Sequence, residues 1–535
     1  MRKQTLHALV LGLMLFSLTV CQPALRNAAL YHNPLYWADY PDPDVIRVGN
    51  DFYMVNSSFT YSPGLPIYHS LDLVHWRQIA NIVDRHPVDF FDVPRHGMGI
   101  WAPSIRYHKN YFWVYYGDPD FGIYMSKAKD PAGPWEPLIL VHPGKGLIDP
   151  CPFWDDDGKA YLVRAWAKSR AGINSVLVMH RMSPDGDRLL DDGVMVFDGT
   201  KAQPTIEGPK MYKRNGYYYI FAPAGGVTPG WQTVLRSKEV FGPYEEKIVM
   251  HQGNTDINGP HQGGWVELES GEHWFIHFQC NHAYGRMLHL NPMVWQADGW
   301  PIIGIDKNGD GIGEPVRTYR YPNAGNPVQV EPLQTTDEFD GEGLSLQWRW
   351  QANYRDEWYS LTEKPGHLRL FSKPMDNDNL WTIPQVISRK FPAEEFEVTA
   401  KLLVNNLKDG DVAGIVVTGN DYATIRVFNN DGQRVVLYAE RYKANEEGKL
   451  NLIETQPMTS EQLFLRMIVT SGATCSFSYS TDGLDYKVIG SGFQAKRLQW
   501  VGSSIGLYCF GSKLGVEGGS VDIEWFRIQY RHQNP

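Results

Sequence analysis

Five times between residues 40 and 300 the chain repeats one pattern: a polar opener, a short apolar strand, a Gly/Asn/Asp turn, then an aromatic-rich strand. The repeats open as "YPDPDVIRVGNDFYMVNSS", "WAPSIRYHKNYFWVYYG", "DPCPFWDDDGKAYLVRAW", "EGPKMYKRNGYYYIFAP" and "HQGGWVELESGEHWFIHFQ", and each is followed by a third strand-like run such as "LPIYHS" or "SVLVMHRM". From Asp42 through Trp101, Asp149 and Glu207 to His261 the steps are 59, 48, 58 and 54 residues. Units of this length with three or four short strands predict the blades of a propeller, here a five-bladed β-propeller over residues 32–322. The first strand of each blade lines the central axis, so the five openers should meet in one funnel.

After Tyr321 the run "PNAGNPVQVEPLQTTDEF" is rich in Pro, Asn, Gln and Thr and reads as a linker over 323–336. Beyond it, over 337–532, alternating apolar runs such as "FEVTAKLLV", "AGIVVTGNDYATIRVF" and "CSFSYSTDGLDYKVIG" are separated by "GND", "NNDG" and "STDG" turns. That pattern predicts a β-sandwich. No segment offers sustained helical periodicity, so the fold class is all-β, in keeping with 51 Gly, 35 Pro, 18 Trp, 29 Tyr and 23 Phe.

The aromatic surplus suits carbohydrate, whose rings stack on aromatic faces. A net charge of -10 without a basic cluster argues against nucleic acid. The N-terminus has a basic start and an apolar stretch from Ala8 to Val20, too short for a transmembrane span and right for a signal peptide within residues 1–25. "LTVC" ending at Cys21 resembles a lipoprotein processing site, so the expected location is periplasmic, extracellular or lipid-anchored through Cys21. Cys151, Cys280, Cys475 and Cys509 show no metal-binding spacing; buried thiols are expected, with one long-range disulfide as the alternative.

Three of the openers are carboxylates. One such Asp-Pro is ordinarily a turn residue, but Asp42, Asp149 and Glu207 in one funnel, with Trp101 as an aromatic wall, provide the acid, base and stacking surface that glycosidic cleavage needs. Asp44 lies two positions beyond Asp42, so strand alternation would place both on one face and does not choose between them. "DKNGDGIGE" (306–314) offers oxygen ligands at alternate positions for a structural Ca2+, but Arg317 stands where an EF-hand needs its bidentate Glu, which favours a structured turn.

In order and context these motifs, including "NPLYWADYPDPDVIRVGNDFYM", "IWAPSIRYH", "LIDPCPFWDDDGKAYL", "IEGPKMYKRNGYYYI" and "GPHQGGWVE", resemble family 43 glycoside hydrolases, the propeller enzymes that include β-xylosidases and α-L-arabinofuranosidases. The tail resembles the concanavalin-like β-sandwich of that branch. The resemblance implies Asp42 as general base, Glu207 as general acid, and Asp149 as the carboxylate that orients the acid and modulates its pKa. It settles on Asp42 over Asp44, leaving Asp44 as a turn residue or a partner for a neighbouring blade. It also implies that Arg286, in "YGRMLHL", reaches the funnel, and that His261 sits near the axis, against substrate or beside a water-shelled calcium ion.

The implied function is exo-acting, inverting release of terminal α-L-arabinofuranosyl or β-D-xylosyl units from plant cell wall polysaccharides or oligosaccharides, with no required cofactor. The fourth and fifth blade motifs lean the resemblance toward arabinofuranoside. The alternative is a non-catalytic carbohydrate-binding propeller with a lectin-like sandwich, which would have no need of three mutually repelling carboxylates. A sucrose- or fructan-cleaving propeller lacks its Asp-Pro-Asn-Gly opening here, and endo-arabinanases usually lack the sandwich. A loop of the sandwich should close one side of the pocket; "GLYCFG" (506–511) is the candidate, with a core strand as its other reading.

Overall fold

The computed structural model describes residues 30–325, 336–446, 448–512 and 517–531. The signal-peptide and Cys21 expectations, and most of the linker, lie outside them. Among the described residues five antiparallel four-stranded sheets follow one another in strict chain order. Their first strands are Asp44–Val48, Trp101–His108, Leu147–Trp154, Lys210–Arg214 and His261–Glu267. Each blade therefore has four strands, and the openers stand at or just before the first.

Alternation gives each blade two faces, and both are apolar because each must pack on a neighbour. Five buried clusters result, one at every blade boundary. Val114 and Ile67 belong to the first, Leu162 and Tyr115 to the second, Ile220 and Val163 to the third, and Phe275 and Phe221 to the fourth. The fifth cluster joins Trp274 and Leu288 of the last blade to Val45 and Phe52 of the first, which closes the ring. Asn33 fastens the closure: its amide donates 2.8 Å bonds to the carbonyls of Leu290 and Val316, and its oxygen accepts from Leu290 N–H.

The C-terminal region forms two large sheets packed face to face, a concanavalin-like β-sandwich. One contains Val386–Lys390, Ser504–Gly511, Asp411–Thr418 and Tyr422–Asn430; the other contains Ser520–Tyr530, Phe396–Leu403 and Gln462–Thr470. The alternating burial of Phe396–Leu403 matches its alternating sequence and fills the core between the sheets. The strand Ser504–Gly511 is buried at every position. "GLYCFG" is thus a core strand, and the loop expectation for it is corrected: its residues pair on both edges, with Val386–Lys390 and Asp411–Thr418.

The sandwich is tied to the first blade by backbone. Ser62 and Trp350 exchange N–H···O bonds of 3.0 and 2.6 Å, and Asn353 N–H donates to Phe91 O at 2.7 Å. Cys151, Cys280, Cys475 and Cys509 are all free thiols. In the 306–314 segment the Asp306 carboxylate accepts the N–H groups of Asn308, Gly309 and Gly311, which is the structured-turn arrangement. No helix among the described residues is long and apolar enough to cross a membrane.

Candidate active site

The openers meet. One pocket of about 100 Å³ is lined by Asp42, Trp101, Asp149, Glu207, His261 and Arg286, together with Phe59, Gln262 and Trp500. A repeated backbone device aims them. Asp42 (φ 54) and Asp149 (φ 57) are themselves in the left-handed region, and so are the residues that follow the other three openers: Ala102 (φ 21), Gly208 (φ 58) and Gln262 (φ 44). The first strands of blades two, three and five also slip register there, at Trp101/Ser104, Ile148/Cys151 and His261/Gly263. Such bulges turn a side chain out of the alternation and are stored strain held by the surrounding fold. At Gly208 (φ 58) a Cβ would lie 2.7 Å from the end of the Gln262 side chain, so any other residue would require Gln262 to move.

This kink separates the two aspartates that simple alternation would have placed on one face. Asp42 enters the pocket. Asp44, already in the strand, turns to blade two, where its Oδ2 accepts Ile105 N–H at 2.9 Å and the Arg106 guanidinium at 2.6 Å.

Asp42 is buried, and both its oxygens are engaged. Oδ1 pairs with the Arg286 guanidinium, and Oδ2 accepts the Ser57 hydroxyl at 2.6 Å. Ser57 in turn accepts Ala102 N–H at 2.7 Å, so it links the first two blades at the carboxylate. Arg286 is placed by its own backbone, whose N–H donates to Asp39 Oδ1 at 2.8 Å.

Asp149 is buried, and Oδ2 accepts Gly208 N–H at 2.7 Å and, at 3.4 Å, the Gln262 amide. Burial first, and then the charge of Glu207 with a further contribution from Asp42, pushes its carboxyl up to about 8. Glu207 is the most accessible of the three acids, its side chain 29% exposed, and its Oε1 lies 2.9 Å from His261 Nε2. His261 is fully buried and serves the acid directly. Its Nδ1 has no partner, and no group of three or more His, Cys, Asp or Glu among the described residues is placed to hold a metal ion.

Trp101 is half-buried, anchored by its indole N–H to Gly97 O at 3.0 Å, with its ring edge-on to Phe59 and Trp500. Trp500 comes from the sandwich. It stands at φ 67 in the loop between Gln494 and Ser504, anchored by Leu498 and Val501 packing on Phe59 and Tyr61. The closing loop therefore lies just before the strand that had been expected to supply it.

Two family models divide the chain where the architecture does. The model of "Glycosyl hydrolases family 43" matches residues 31–301, and that of "Beta xylosidase C-terminal Concanavalin A-like domain" matches 336–529. The chain belongs to glycosyl hydrolase family 43. A Xylanibacter ruminicola protein provisionally named a beta-xylosidase is 40% identical over 477 residues, 89% of this chain and 85% of the relative. A non-reducing end alpha-L-arabinofuranosidase of Bacteroides ovatus is 33% identical over 463 residues, 81% of this chain and 82% of the relative. The crystal structure of a xylan beta-1,4-xylosidase from Bacillus halodurans superposes with a TM-score of 0.82 at 25% identity, covering 93% of this chain and 99% of that one. This family 43 protein is a glycoside hydrolase, and the sugar-binding but non-catalytic alternative is not favoured.

Proposed function

We propose that the enzyme removes single terminal pentosyl units, β-D-xylosyl or α-L-arabinofuranosyl, from plant cell wall oligosaccharides and polysaccharides, with inversion at the anomeric carbon. The observation that carries this reading is the pocket itself: three carboxylates in about 100 Å³, with Trp500 of the second domain forming part of the wall. A space of that size, walled in part by another domain, suits a single terminal sugar ring better than the middle of a chain.

In the reaction Asp42, ionised beside Arg286 and oriented by Ser57, accepts a proton from water as the water oxygen attacks the anomeric carbon. The glycosidic bond breaks on the other side, and the departing oxygen takes a proton from Glu207, which His261 holds in place. Asp149 and Glu207 are a coupled pair: burial and their mutual repulsion favour a proton on the pair, which keeps one at hand for Glu207 to donate. Trp101 and Trp500 supply ring faces for the sugar. Export directed by the N-terminal segment, ending in the periplasm, outside the cell or at a lipid-anchored Cys21, would place the enzyme with such substrates.

The test is product release from 4-nitrophenyl β-D-xyloside and α-L-arabinofuranoside, with NMR following the first anomer formed from xylo-oligosaccharides. Pentose of inverted configuration from chain ends is expected. Retained configuration, or internal fragments as first products, would refute it. Beta-xylosidase names among the relatives make the xyloside the first substrate to assay.

A further inference from the structure

A second cavity, of about 280 Å³, lies where the first blade meets the sandwich. It shares a wall with the catalytic apparatus: Ser57, whose hydroxyl is bonded to Asp42, lines it. Its body is apolar and ring-rich, formed by Tyr40, Tyr68 and Trp76 of the propeller and Phe391 of the sandwich. The amides of Gln78 and Asn81 are already spent on each other and on Leu346 O, bridging the two domains.

Four cations line this space: Arg77, Arg389, which pairs with Asp337, and two with few acceptors, Lys390 and Arg349. Lys390 Nζ stands 4.6 Å over the Tyr40 ring and makes one long bond, 3.5 Å, to the Tyr68 hydroxyl; no carboxylate among the described residues lies within ion-pair distance of it. Arg349, 7% exposed, stacks 3.9 Å over Tyr61 and donates to Ser504 Oγ, but its Nε has no acceptor. The carboxylate whose field reaches both is Asp39, which accepts Arg286 N–H through Oδ1 while its buried Oδ2 has no hydrogen-bond partner. Burial first and the charge of Arg349 second, opposed by Asp39, push the Lys390 ammonium down to about 7. Arg349 is buried and Lys390 half-buried, and Asp39 is the one carboxylate among the described residues whose field reaches both, so the pair of cations is short of one negative charge.

We infer that this interdomain cavity binds a small aromatic monocarboxylate, its carboxylate on Lys390 and Arg349 and its ring among Tyr40, Tyr68, Trp76 and Phe391. The volume lies at the lower end of small-molecule sites, which run from about 300 Å³ upward, and so limits the ligand to roughly one ring with a short arm. Because Ser57 is part of the wall, occupancy reaches Asp42 through a single hydrogen bond.

Calorimetry with trans-cinnamate on the whole enzyme, in saturating xylose to fill the sugar pocket, tests the site. Wild type should bind cinnamate at least about tenfold more tightly than neutral cinnamamide, and Lys390→Met should weaken cinnamate about tenfold while Lys390→Arg restores most of it. Lys390→Met should leave turnover without cinnamate unchanged, which shows that the variant has folded. A second readout needs no variant. On the alkaline side of the Lys390 titration the incoming anion restores the ammonium, so binding heats in two buffers of different ionisation enthalpy should reveal proton uptake. Equal binding of cinnamamide, indifference to Lys390→Met, no proton uptake, or no binding at all would each overturn the inference.

Discussion

His261 Nε2 lies 2.9 Å from Glu207 Oε1, and the histidine is fully buried while the glutamate is open to the pocket. A rigid buried ring thus holds the one carboxylate of the three that is open to the pocket. His261→Phe keeps the ring and removes the bond. Turnover should fall about tenfold or more, the loss being larger for natural linkages than for 4-nitrophenyl pentosides, whose leaving group needs little protonation. Equal losses on both would separate His261 from the acid step.

Glu207→Gln and Asp42→Asn should behave differently. On the proposed mechanism each removes a proton-transfer group worth about 10²–10⁴ in rate. Asp42→Asn should lower kcat on every substrate, because all need activated water. Glu207→Gln should spare substrates with good leaving groups. Steady-state kinetics on aryl pentosides of graded leaving-group pKa reads the difference as a steeper dependence in Glu207→Gln only.

Ser57→Ala leaves Asp42 its Arg286 partner but removes the 2.6 Å bond and deprives Ala102 N–H of its acceptor. Stability should drop by about 1–3 kcal/mol for the buried amide left unpaired. Turnover should fall while KM stays near its wild-type value, since the water, and not the sugar, is misplaced. Denaturant titration and kinetics measure the two effects separately.

Asp149 carries a pH dependence of stability with a definite sign. Its carboxyl is held up to about 8 in the fold against an ordinary value of 3.8, so between those points the folded chain holds a proton that the unfolded chain has lost. Stability contributed by this group is complete at low pH and falls as pH rises through the window. Asp149→Asn should abolish that slope, leaving the variant more thermostable than wild type by several degrees at the alkaline end of the window, though inactive or nearly so. Thermal melts across the window check it; parallel slopes would show that the proton is not on Asp149.

Trp500→Ala opens the wall that the sandwich supplies. KM for short substrates should rise about tenfold with a smaller change in kcat, because a ring face is lost and the acid, base and water stay in place. Intrinsic fluorescence of wild type should also respond to xylose, and that response should shrink in the variant.

The propeller was readable because a polar opener followed by an apolar strand recurs at near-constant spacing, and each blade must pack the same way. Convergence of Asp42, Trp101, Asp149, Glu207 and His261 followed from that symmetry alone. The residues that the repeat does not encode were missed. Ser57 is one serine in "VNSSFTYS", and nothing linear marks it as the partner of Asp42. Trp500 belongs to a different domain, so no repeat could point to it; a tryptophan in a polar loop before a fully apolar strand was the available signal. "GLYCFG" could be read as a closing loop or as a core strand, and the second reading holds: Gly506 sits in a sheet so tightly packed that a Cβ would meet Val386 at 2.8 Å. Asp42 and Asp44 could not be told apart by alternation because the left-handed residue breaks it between them.

The position of those left-handed residues sets which parts of the pocket are free to change. In blades one and three the opener itself bears the unusual backbone, and aspartate is among the few side chains that tolerate it. In the other three the burden falls on Ala102, Gly208 or Gln262, and the opener is released from it, which is why a tryptophan, a glutamate and a histidine can occupy equivalent stations. At these two stations the conformation favours aspartate, its amide or glycine, and of these only aspartate supplies a carboxylate. A lineage altering its sugar preference, or an engineer doing so, has position 101 to vary before the backbone objects, since His261 is tied to Glu207.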